Sequence, residues 1–264
     1  MRKTPSYLLA FHVVFACFML APLVVVVLVS FTDKGYVSMP FDGASLRWYR
    51  AILDAPDFIE AFQRSVGLAA GAATIATVLA VPAGLAIAWF RFWGRDAVMS
   101  LILSPLMVPN VVLGIALLRF FSQLNIAGSM STLVLGHVLV ILPYALRLVV
   151  ASAAGFDRSI THAAQTLGAS GWITFRRIEL PLIISGVAGG WLIAFVTSFD
   201  ELTMSIFVSS AATETLPVKM YNYIANTIDP LLASVSTVLI AMTLFLLIVL
   251  DRFFGLDRVL SGKT

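Results

Sequence analysis

Apolar and polar positions fall along this chain in long blocks. Six blocks carry no Asp, Glu, Lys or Arg: 29 residues between Lys3 and Asp33, 26 between Arg64 and Arg91, 22 between Asp96 and Arg119, 27 between Arg119 and Arg147, 20 between Glu179 and Asp200, and 21 between Asp229 and Asp251. A helix needs about 20 mostly apolar residues to cross the hydrocarbon core of a bilayer. Lipid offers no partner to an unpaired backbone group, so helices are the expected form. The blocks predict an all-α membrane protein with six transmembrane helices in one domain, 1–264, at about residues 7–31, 63–90, 97–120, 130–150, 182–209 and 230–250. The alternation of a membrane β-strand is missing.

Detail inside the blocks modifies this outline. The first helix holds Pro22, a point where it can bend. Its apolar run is too long for a cleaved signal segment. In the loop up to Phe62, Ser45 can cap a short helix, LRWYRAIL, with Trp48, Tyr49, Ile52 and Leu53 on one face. Such a helix suits the membrane interface. The second long helix is rich in Gly, Ala, Ser and Thr, which favours close packing in a bundle or against another subunit. The third contains SPLMVPN, with Pro105 and Pro109 four residues apart and Asn110 after them. Each proline removes a backbone bond, so the helix breaks or bends there, either to face a cavity or only to pack. His137, alone in the fourth helix, is expected to hydrogen-bond a neighbouring helix.

The polar stretch Asp157–Pro181 follows the fourth helix, inside a connecting loop at 151–181. Asp157 can cap a helix on which Ile160, Ala163, Ala164 and Leu167 form one apolar stripe. Gly168 fits the C-terminal cap, and WITFRRIEL predicts a second helix ending before Pro181. A one-sided helix of this kind lies on lipid or enters a groove in another protein. The two alanines in the stripe favour protein.

Composition supports the membrane reading: 60% of the residues are hydrophobic and 12% charged, against about half and a quarter in soluble domains. The net charge of +3 does not indicate nucleic acid. With six crossings both termini share a side, and that side collects 11 of the 17 basic residues, Arg91, Arg95, Arg147, Arg158, Arg176 and Arg177 among them. The positive-inside bias makes it cytoplasmic. The single Cys17 rules out a disulfide framework.

There is no phosphate-binding loop, no H-E-x-x-H, no Cys/His cluster and no G-x-S-x-G turn, so neither ATP binding, metal chemistry nor a serine nucleophile is indicated in this chain. Asp200 and Glu201, in SFDELT of the fifth helix, are adjacent acids in an apolar setting. A charge at the membrane centre costs about 2.5–3.5 kcal/mol on insertion scales. They serve either a passage for a cationic substrate or an ion pair, to Arg119 or to another subunit.

The loop also carries a family resemblance. His162-Ala163-Ala164, three residues, Gly168, nine residues, then Ile178-Glu179-Leu180-Pro181 resembles the E-A-A…G…I-x-L-P pattern of the inner-membrane permease subunits of bacterial ABC importers. The resemblance covers roughly Gln63 to Leu250, and its departure is His162 where the family usually has Glu. It implies the type I importer permease (MetI-like) fold in the bacterial inner membrane. The implied partners are a second permease subunit, two cytoplasmic ATPase subunits that bind ATP and Mg, and a periplasmic solute-binding protein. It assigns no cofactor and no hydrolysis to this chain. Ile160, His162, Ala163, Ala164, Leu167 and Gly168 become the coupling helix, and Asp200, Glu201, Pro105, Pro109 and Asn110 line the substrate path. SPLMVPNVVLGIALL, SFDELTMSIFVSS and TLPVKMYNYI resemble the polyamine (spermidine/putrescine) branch. Opine, aminoalkylphosphonate, thiamine and ferric iron carriers look similar. A homo-oligomeric secondary transporter would require inverted repeats, and none is apparent.

Overall fold

The computed structural model describes residues 6–41 and 43–254. Arg2, Lys3, Arg258 and Lys263, counted above on the cytoplasmic side, lie outside the described residues. The chain is helical, and among the described residues the extended pairing is an isolated bridge between Thr32 and Ala44. In order the helices are α1 (Ser6–Val29), α2 (Arg47–Leu53), α3 (Pro56–Trp89), α4 (Arg95–Leu103), α5 (Asn110–Gln123), α6 (Met130–Ala154), α7 (Ser159–Thr166), α8 (Gly171–Thr174), α9 (Leu180–Phe199), α10 (Ser205–Val208), α11 (Leu216–Asn226) and α12 (Leu231–Phe254). Among the described residues four segments are long and apolar enough to cross a membrane: Tyr7–Val29, Pro56–Trp89, Met130–Ala154 and Gly171–Phe199. The α4–α5 pair makes a fifth if its two parts count as one, and α12 adds the shorter apolar stretch Leu231–Phe245.

The chain divides into two compact units, one taking in Met220–Ile248 and the residues up to Glu60, the other Ala61–Lys219. In the first, α2 leans on the end of α1 through a 2.6 Å bond between Ser30 Oγ and the Tyr49 hydroxyl and the Phe31–Tyr49 ring contact. Ser45 stands one residue before the cap position, which Leu46 holds with no side-chain bond, and the Ser45 Oγ accepts the Arg47 N–H at 3.2 Å. Helix α1 runs through Pro22 without interruption. Of its apolar window only 6% is buried.

The second unit is built on α6, whose apolar window is 56% buried. Small residues bring its neighbours close. A Cβ on Gly186 of α9 would lie 2.9 Å from the Leu148 carbonyl, and one on Gly84 of α3 would lie 2.7 Å from Val149 Cγ1. Ala69, Ala72, Ala73, Ala76 and Ala80 of α3 are fully buried, so its small-residue face packs inside the unit.

The break expected at the two prolines is present, and three other expectations change. The helix predicted at 97–120 is two helices bent by 103°. Pro105 lies in a 3-10 turn, Ser104–Met107; Val108 before Pro109 is extended at φ −95°, ψ 128°; and α5 starts afresh at Asn110. A proline disfavours helical geometry in the residue before it, and this turns the chain out of the helix. The helix predicted at 182–209 ends at Phe199, and the Glu201 carboxylate takes the Met204 and Ser205 N–H groups where α10 begins. The helix predicted to stop before Pro181 continues through it. A π-turn, Phe175–Glu179, lets the Leu180 N–H reach the Phe175 carbonyl, and α8, the turn and α9 form one span. The extra residue in that turn absorbs the donor and space that Pro181 lacks. The second long helix also begins early, at Pro56, since proline is preorganised for a helix's first turn.

Candidate functional site

Two groups of side chains stand apart from ordinary packing. The first is α7. Asp157 Oδ1 accepts the Ser159 N–H at 2.9 Å and Oδ2 the Ser159 hydroxyl at 2.8 Å. These bonds start the helix and hold the Asp157 carboxyl below the usual carboxylate range. At the other end Gly168 has φ +89°, its N–H bonds the Gln165 carbonyl and the Ala169 N–H bonds the Ala164 carbonyl. That is a Schellman closure, which needs the left-handed residue glycine supplies.

The inward face of α7 is polar. Thr161 is 1% exposed and donates to Glu179 Oε1 at 3.3 Å. Ile160, Ala163 and Leu167 point outward, Leu167 at 88% exposure, while Ala164 is half-buried. This reverses the usual amphipathic arrangement. His162 is exposed on the same helix, and Trp172 and Ile173 extend the apolar surface beyond it. Behind α7, Arg158 lies over the rings of Trp89 and Phe90, each 5.3 Å away, and donates to the Trp89 carbonyl. A groove of about 750 Å³ opens there, walled by Val81, Leu85, Trp89, Phe90, Phe175 and Leu180.

The second group sits where the two interrupted helices meet. Glu201 is 6% exposed. Its Oε1 accepts the Met204 N–H at 2.9 Å and the Asn110 amide at 3.5 Å. Its Oε2 accepts both the N–H and the hydroxyl of Ser205 at 2.9 Å. Ser205 Oγ in turn meets His137 Nε2 at 3.0 Å, and His137 Nδ1 meets Ser198 Oγ at 2.8 Å. His137 of α6 thus bonds α9 with one ring nitrogen and α10 with the other. Met204 is fully buried, seated where Gly114 of α5 and Gly136 of α6 leave room. Asp200, the residue before Glu201, is exposed at the end of α9.

The structure therefore brings Asn110 and Glu201 together, with Pro109 shaping the start of α5, and gives the two acids different surroundings, Glu201 buried and Asp200 exposed. Arg119 is exposed and is not among Glu201's partners. Sequence reading missed Ser198 and Ser205.

Residues 80–256, which take in both groups, match the family described as binding-protein-dependent transport system inner membrane component. The chain is 31% identical to the spermidine/putrescine transport system permease protein PotC of Haemophilus influenzae over 239 residues, covering 90% of this chain and 93% of that protein. It is 32% identical to the putrescine transport system permease protein PotI of Escherichia coli strain K12 over 230 residues, covering 84% and 82%. The molybdenum transport system permease protein ModB of Haemophilus influenzae is 32% identical over 180 residues, 61% of this chain and 79% of that protein. In fold the chain resembles a chain in the crystal structure of a bacterial ABC transporter involved in the import of the acidic polysaccharide alginate, with TM-score 0.74, 14% identity, and 96% and 98% of the two chains covered.

Proposed function

This chain belongs to the binding-protein-dependent transport system inner membrane components, and on that premise we propose that it is one of two permease subunits of an ATP-driven importer for a polyamine-class cation. It is a multi-pass inner-membrane subunit. In this reading a single permease domain crosses six times, with the broken α4–α5 pair and α12 completing the count, and the termini and α7 lie in the cytoplasm. A second permease stands beside it, two ATPase subunits bind ATP and Mg beneath it, and a solute-binding protein delivers cargo from the periplasm. Hydrolysis belongs to the ATPases.

The observation that carries the coupling assignment is the outward apolar stripe of α7. Ile160, Ala163 and Leu167 face away from their own unit, which leaves an apolar surface for a partner's groove. With His162 at the position of the usual Glu, the ATPase contact there lacks that acid. The substrate assignment rests on Asp200, an exposed acid beside a break in two helices. Carbonyl groups freed at such breaks and an unpaired carboxylate suit an organic polycation. The PotC and PotI names support the same class.

The test is uptake of radiolabelled putrescine and spermidine by cells carrying the complete transporter, with an opine, an aminoalkylphosphonate, thiamine and ferric iron as competitors. The amines are expected to enter and to compete, and Asp200→Asn to reduce their entry by about tenfold or more, the scale of one lost charged contact. Competition by one of the other solutes, with no amine uptake, would reassign the substrate.

A further inference from the structure

Adjacent acids at a substrate path invite the reading that both bind the cation. The hydrogen bonds point elsewhere for Glu201. An ionised carboxylate has about four acceptor positions. Four donors already converge on Glu201: the Met204 and Ser205 N–H groups, the Ser205 hydroxyl and the Asn110 amide. Three of these bonds are 2.9 Å long and the Asn110 contact is 3.5 Å, so both oxygens already face protein donors, and the side chain is buried.

The proton count extends the network. Ser205 has one hydroxyl proton, and it goes to Glu201. Its oxygen must therefore accept from His137 Nε2–H. In the neutral ring Nδ1 is then the acceptor, and it takes the Ser198 hydroxyl proton. The chain runs one way, Ser198 to His137 to Ser205 to Glu201, with every polar group satisfied. Buried networks completed in this manner rigidify what they join. Here they join the end of α9, the start of α10, α6 and, through Asn110, the start of α5. Packing holds the same joint. A Cβ at Gly114 would lie 3.1 Å from Met204 Cα, and one at Gly136 would lie 3.0 Å from Met204 Sδ.

We propose that Glu201 is a positioning residue for transport: locked to Met204, Ser205 and Asn110 and steadied through Ser205 by His137, it joins the two interrupted helices and sets Asp200 at the path without touching the substrate. This rests on the transport reading above and divides its acidic pair into a ligand and a support.

The experiment uses the complete importer in membranes, with uptake of labelled putrescine and spermidine normalised to assembled complex. Ser205→Ala removes one oxygen and leaves the fold its volume. It and Glu201→Gln should each lower the maximal uptake of both amines by a common factor of about tenfold, as expected for a lost bond to a charged group. The double variant should be no worse than the worse single one, because the two act through one link. Asp200→Asn should instead change the ratio of putrescine to spermidine uptake, since the amines differ in charge. If Glu201→Gln shifts that ratio as Asp200→Asn does, Glu201 touches the substrate and the proposal is overturned. Uptake by Ser205→Ala within about twofold of wild type also overturns it, being inside the spread of neutral changes. Should the wild-type complex carry neither amine, the substrate reading fails separately. The variants are then scored on ATP hydrolysis by the complex stimulated by its binding protein. A common loss in Ser205→Ala and Glu201→Gln upholds the positioning role, and activity within about twofold of wild type in either variant removes it.

Discussion

At Gly168 the backbone has φ +89°, and a Cβ there would touch nothing within 4 Å. The glycine is needed for conformation, not for space. A β-branched residue in the left-handed region costs about 1–2 kcal/mol. Gly168→Val should therefore loosen the closure of α7 while leaving the subunit in the membrane. The expected result is ATP hydrolysis with transport reduced, read as substrate moved per ATP consumed. Gly186 differs, because a Cβ there would press on Ser152 and the Leu148 carbonyl. Gly186→Ala should destabilise the α6–α9 contact by about 1–3 kcal/mol, the usual range for overpacking, and lower the melting temperature of the purified complex. Asp200 and Glu201 look equivalent in the sequence. Their difference lies in which one takes the N–H groups that follow, and Met204, Ser205 and Asn110 all turn to Glu201.

Among the elements, α7 was legible as a helix with an apolar stripe, from Asp157 through Gly168. The direction of the stripe was not, because spacing says which residues share a face and not which face is covered. Thr161 settles it by bonding Glu179 inward. Leu167 is 88% exposed and makes little of its own subunit's stability. Leu167→Glu is thus expected to leave the level of the permease unchanged and to cut recovery of the ATPase in co-purification by about tenfold, as for an interface anchor. The interrupted helices show the same limit. Pro105 and Pro109 announce a break, but its 103° angle follows from the extended Val108 and the new start at Asn110. Pro181 announces a stop that does not occur, since the π-turn before it supplies the missing residue.

For the whole molecule, the proposed orientation places α7 in the cytoplasm. In a Cys17→Ser background, a cysteine introduced by Ser159→Cys should react with a membrane-impermeant thiol reagent in inverted vesicles and not in intact cells. Labelling from outside would invert the topology. Cys17 and Ser159 are both exposed, and replacing the Ser159 hydroxyl leaves its N–H bond to Asp157 in place.

What the sequence determined by itself was the membrane, the helical class, the position of the polar loop and the spacing that marks its family. The first three follow from local physics, chiefly charge-free length against bilayer thickness, and the fourth from the resemblance of the spacing between His162 and Pro181 to the family's pattern. Only the tertiary structure decided that α7 turns its apolar face outward, that the fifth span stops at Phe199, and that His137, Ser198, Ser205 and Asn110 converge on Glu201. Those contacts join residues up to 91 positions apart, and a donor's choice of acceptor is made only when separate segments are packed side by side.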